Sequence, residues 1–136
     1  MGPDEALHAQ HRRLKELFGQ LANRVGPDIA GNAGSIRELL DTMDHILLAY
    51  TAAEDSAAYA RLVADARPQV SDLARKFQRD MGALKRAFAD YSDKWSRKVI
   101  ATQPTIFRRE TEALIAMFTG RIDREEQELY PLVAAG

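Results

Sequence analysis

Apolar residues recur along this chain at intervals of three and four, the period that gathers them on one face of an α-helix. The first stripe is Leu7, Leu14, Phe18, Leu21 and Val25, and it predicts a helix from about Pro3 to Val25. Gly26-Pro27 stops it, and the chain to Gly34 reads as a loop. Ser35, with Glu38 three residues later, has the spacing of a capping box. It opens a second helix carrying Leu39, Met43, Ile46, Leu47 and Tyr50 and reaching toward Ala66. Pro68 suits the first turn of a third helix. Its stripe is Val70, Leu73, Phe77, Met81, Leu84, Phe88, Tyr91 and Trp95, and Thr102-Gln103-Pro104 ends it. Thr105 is placed to cap a fourth helix with Phe107, Leu114, Phe118, Leu129 and Leu132 inward and Pro131 in its last turn. Long amphipathic helices with short connections predict an all-α fold, an antiparallel up-down four-helix bundle, with residues 1–136 forming one domain.

Composition narrows the function. Lys and Arg nearly balance Asp and Glu, for a formal charge of -1, which argues against a general nucleic-acid binder. The absence of cysteine excludes disulfides, zinc–thiolate sites, cysteine nucleophiles and thiolate-held iron–sulfur clusters. No apolar run approaches the roughly 20 residues that cross a bilayer. The start, Met1-Gly2-Pro3-Asp4-Glu5, lacks the basic and apolar parts of a signal peptide. The expectation is a cytoplasmic protein that engages no membrane.

Candidate chemistry shows where polar residues interrupt the apolar stripes. A buried polar group without a partner costs about 1–3 kcal/mol, so such positions call for an explanation. At 100° per residue, His11 points with Leu7 and Leu14. Tyr50 and Glu54, four apart, share the core side of the second helix. Glu125 falls on the face of Phe107, Leu114 and Phe118. One imidazole, two carboxylates and one phenol on three helices suit iron or manganese better than a soft metal. Each has a plainer reading: a bonded core histidine, a packed tyrosine, and carboxylates paired with arginine, Arg121 being placed one turn from Glu125. His8 lies on the flank of the first helix, as an additional ligand or a surface residue. His45 faces solvent, and Asp80 beside Met81 is set for a salt bridge or for assisting the site. Glu110 is about 22 Å along the axis from Glu125, too far to share one centre.

At these residues the chain resembles the hemerythrin-like, HHE-type domains over nearly its whole length. Members carry a histidine on the first helix, His-xxx-Glu on the second, a histidine on the third and His-xxx-Glu on the fourth. His11-Arg12 stands for the first and Tyr50-Thr51-Ala52-Ala53-Glu54 for the second, with tyrosine at the histidine position. The third reads Phe77-Gln78-Arg79-Asp80-Met81, with methionine at the histidine. The fourth runs from Arg121, again in place of histidine, through Glu125-Glu126-Gln127-Glu128-Leu129-Tyr130-Pro131. It is similar to the histidine-poor, tyrosine-containing hemerythrin-like proteins of actinobacteria.

The resemblance implies a non-haem iron centre held by His11, Tyr50, Glu54 and Glu125, with two oxo- or carboxylate-bridged ions as the expectation. Four donors also suit a single ion. Phenolate and carboxylate favour ferric iron, which does not carry dioxygen. The expected function is therefore catalase-like peroxide handling or reaction with nitric oxide in oxidative stress. An iron-based sensor of dioxygen or nitric oxide, and a metal-free scaffold for protein contacts, stand as alternatives.

Overall fold

The computed structural model describes the backbone of residues 3–129 and of Pro131, and the side chains of residues 9, 11–47, 60–128 and 131. Five α-helices follow one another: α1 (Pro3–Arg24), α2 (Ala33–Val63), α3 (Pro68–Lys94), the short α4 (Arg97–Thr102) and α5 (Pro104–Arg124). A π-helical segment, Glu125–Leu129, continues α5. The long helices close a ring in which α1 packs on α2, α2 on α3, α3 on α5 and α5 on α1. Cross-links fix their directions. Arg108 near the start of α5 reaches the Gly26 carbonyl just beyond α1 (2.6 Å), while His11 in α1 meets Glu125 at the far end. Arg37 near the start of α2 donates to the Ser92 and Trp95 carbonyls at the end of α3, both at 2.7 Å. The bundle is thus all-α, up-down and antiparallel, as its pattern predicts. Among the described residues no helix is long and apolar enough to cross a membrane.

The predicted stripes supply the core. Leu14, Phe18 and Leu21 of α1 and Val25 just beyond it share one buried core with Met81, Phe88 and Tyr91 of α3 and Phe107, Leu114 and Phe118 of α5. Phe18 and Phe118 meet at 4.7 Å between ring centroids, and Phe88 stands edge-on to both at 6.4 Å. Such T-shaped and tilted pairings add to the area that the rings bury.

Helix ends depart from the expected boundaries. α2 starts at Ala33, and Asn32, not Ser35, is its N-cap, with no side-chain cap bond. The Asp28 carboxylate accepts the Gly31 N–H (2.9 Å), and the Asn32 N–H reaches the Asp28 and Ile29 carbonyls. That turn delivers the chain into helical geometry early, so that Ala33 and Ile36 are buried. A Cβ at Gly31 would collide with the Asp28 carboxylate and displace it from this turn. α2 ends at Val63, short of Ala66, while Pro68 opens α3 as expected.

The third predicted helix does not continue to Thr102. It ends at Lys94, and Ser96 caps α4 by accepting the Val99 N–H. Trp95 causes the break. Its indole is fully buried edge-on to Phe107, and its N–H donates to Glu110 at 2.6 Å. A continuous helix would carry the ring away from that pocket. Arg37 satisfies carbonyls left open by the break, as helix termini require. Gln103, with Pro104 in the first turn, precedes α5, so Thr105 lies inside the helix and does not cap it.

Phe118→Ala removes the ring between Phe18 and Phe88 and is expected to destabilise the bundle by about 3–5 kcal/mol in urea unfolding. Burial pushes the Tyr91 hydroxyl above the ordinary phenol range, partly opposed by its 2.6 Å hydrogen bond with Thr111. Above about pH 10 the unfolded phenol ionises while folded Tyr91 keeps its proton, so stability falls as pH rises, by at most about 1.4 kcal/mol per pH unit. Urea unfolding between about pH 9 and 11 should show a shallower loss in Tyr91→Phe than in wild type.

Candidate metal centre

His11 and Glu125 meet at the end of the bundle opposite Trp95. His11 follows the α1 stripe inward and is 2% exposed. Glu125 is the first residue of the π segment and is fully enclosed, at 0%. Its backbone N–H is directed at the carbonyls of both Arg121 and Ile122 as the helix changes pitch. A π turn adds a residue to the helical repeat and re-aims the side chains around it, a device common at functional sites. The sequence signal for it is Pro131, which has no N–H for the carbonyl four residues earlier.

His11 Nε2 lies 3.0 Å from Glu125 Oε2. The approach is close but misaligned, for among the described residues neither Glu125 oxygen accepts a hydrogen bond of normal geometry. A fully buried carboxylate with open lone pairs requires a cation. The spacing suits two adjacent ligands of one ion: at a bond length of about 2.1 Å and a right angle, two donors stand about 3.0 Å apart. Imidazole and carboxylate are also the donor types that a non-haem metal centre uses. This part of the site therefore fits an ion.

Of the four ligands expected from the sequence, the structure brings His11 and Glu125 together. Tyr50, Glu54 and the flanking His8 lie outside the described side chains, and among the described residues no three His, Asp or Glu groups gather. His45 is exposed, as expected. Glu110 is held at the other end by Lys94 (2.5 Å) and Trp95. There Lys94 and Trp95 keep its carboxyl below the usual carboxylate range, outweighing desolvation, which is the largest single influence and acts in the opposite direction.

Arg121 does not pair with Glu125. Its Nη2 binds Asp80 Oδ2 across the α3–α5 interface at 2.6 Å, and the guanidinium lies over Phe77, 5.0 Å from the ring centroid. Long helical side chains lean toward the N-terminus of their helix, and this carries Arg121 away from the residue one turn ahead. Asp80 is thus a salt-bridge partner, the plainer of its two sequence readings. Beside it Met81 is buried, filling its position with thioether and hydrocarbon. Outside the site, Lys15 clamps α1 to the same end of α5 through Asp123 (3.0 Å) and Glu126 (3.4 Å).

No curated protein and no solved structure matches this chain. A family model does: that of the hemerythrin HHE cation-binding domain matches residues 2–133. With the helical bundle and the inward His11 and Glu125, that match over nearly all of the chain means that it belongs to the hemerythrin HHE cation-binding family.

Proposed function

We propose that this protein holds iron at His11, Tyr50, Glu54 and Glu125 and handles peroxide or nitric oxide there, in a catalase-like reaction, without carrying dioxygen reversibly. The observation that carries the reading is the enclosed Glu125 carboxylate beside His11 Nε2 at 3.0 Å, a donor pair that needs a cation and is spaced for one. Iron bound there would supply an open coordination position and a one-electron couple. The chain's residues set its character. Glu125, Glu54 and a phenolate from Tyr50 supply anionic donors that favour the ferric state, and His11 supplies the neutral nitrogen. A bound cation lowers the pKa of a ligating phenol and allows Tyr50 to bind as phenolate. His11 and Glu125 are themselves shut off from solvent, at 2% and 0% exposure.

A metal-free scaffold is the second reading, and the Arg121–Asp80 pair favours it, because these two charged groups are occupied with each other. Optical spectroscopy separates the two. Iron-loaded protein is expected to show a visible phenolate-to-ferric band that is lost in Tyr50→Phe, together with peroxide consumption faster than that of free iron. A colourless protein that takes up no iron would establish the scaffold reading instead.

The buried pair also gives a stability signature. In metal-free protein, the double substitution His11→Leu, Glu125→Leu is expected to be neutral or stabilising by up to about 4 kcal/mol, because a buried ion pair seldom outweighs its desolvation. Iron should raise the wild-type Tm by mass action and leave that of the double variant unchanged in thermal denaturation.

A further inference from the structure

Arg121 is the one enclosed cation described at this end of the bundle, and its setting limits what the site can hold. It stands one turn before Glu125 on the same helix, 13% exposed at its side chain. Its Nη1 is shut off from solvent and has no hydrogen-bond partner among the described residues. A guanidinium is a cation with five N–H donors and has no lone pair to offer a metal. Its second terminal nitrogen, Nη2, engages the Asp80 carboxylate of α3. Next to Asp80, the buried Met81 offers only a soft thioether, a poor donor for a hard ion.

The α3–α5 side is therefore occupied by a fixed positive charge, its partly exposed counter-ion and apolar atoms. Phe77 accepts the guanidinium face at 5.0 Å and holds it in place. A metal ion on that side would meet a largely buried fixed cation and would find Asp80 already engaged. On the opposite side, His11 of α1 approaches Glu125, and nothing cationic intervenes at 3.0 Å.

We propose that Arg121, locked by Asp80 and Phe77, is a built-in cation that takes the place of a second metal ion, so that this centre binds one ion and not a bridged pair. The assignment rests on the metal reading above and adds the number of ions and the residue that sets it. His11 and Glu125 then serve one ion.

The test is a titration of the full chain with ferrous iron under argon, read by native mass spectrometry and, after oxidation, by electron paramagnetic resonance. One ion per chain and an isolated high-spin ferric signal are expected. Two ions per chain with a spin-coupled, silent pair would overturn the role of Arg121 and leave the metal reading standing. No bound iron would overturn both. Arg121→His removes the cation, frees Asp80 and adds a nitrogen donor, and uptake is expected to rise from one ion to two. A folded Arg121→His protein, shown by circular dichroism, that still binds one ion would also overturn the proposal. If that variant does not fold, Arg121→Gln is titrated in its place: a second, weaker ion supports the proposal, and a single ion overturns it. Asp80→Asn leaves the guanidinium in place and is expected to stay at one ion.

Discussion

A carboxylate with no exposed surface cannot remain uncompensated, and the arrangement of this bundle at one end follows from Glu125. The group lies where α5 passes into π geometry, enclosed among apolar side chains with His11 at 3.0 Å. Removing an ion from water costs several kcal/mol even after relaxation. A metal ion that takes both groups as ligands would supply that compensation. The antiparallel course of α1 and α5 makes this encounter possible, and the Lys15 clamp to Asp123 and Glu126 holds it from outside.

The two ends of the bundle divide the work. Around Trp95 the interior is aromatic, with Tyr91, Phe107 and Trp95 in contact and their polar atoms satisfied by Thr111 and Glu110. Arg37 locks that end by binding carbonyls from the last turn of α3. Among the described residues, no buried side-chain polar atom at this end is left without a partner. Polar groups with open valences instead concentrate at the other end, on Glu125 and Arg121. A rigid aromatic end can offset the cost of an unsatisfied polar end, which is the usual relation between a scaffold and a site.

Within the polar end the charges are sorted by helix pair. Asp80 and Arg121 engage each other between α3 and α5, while Glu125 faces α1. The sorting follows from side-chain direction, since Arg121 leans back along α5 toward the level of Asp80 and Phe77. A carboxylate is thereby kept clear of the nearest arginine on its own helix and left for another partner.

The period of apolar residues by itself determined the long helices, their inward faces and the inward placement of His11 and Glu125, because a helical stripe fixes direction at 100° per residue. Gly26-Pro27 and Pro68 marked their turns through local backbone chemistry that needs no partner. Other features were decided only in three dimensions. Ser35-Glu38 has the spacing of a cap, yet the Asp28–Gly31 turn and the burial of Ala33 and Ile36 begin α2 sooner. Trp95 continues the α3 stripe, but a pocket beside Phe107 and Glu110 breaks the helix there. Arg121 is four residues from Glu125, the distance of a local ion pair, and still binds Asp80 on another helix. Spacing along one helix reports which side chains share a face. Which of them bond depends on rotamer direction and on what the neighbouring helix presents, and those are properties of the packed bundle.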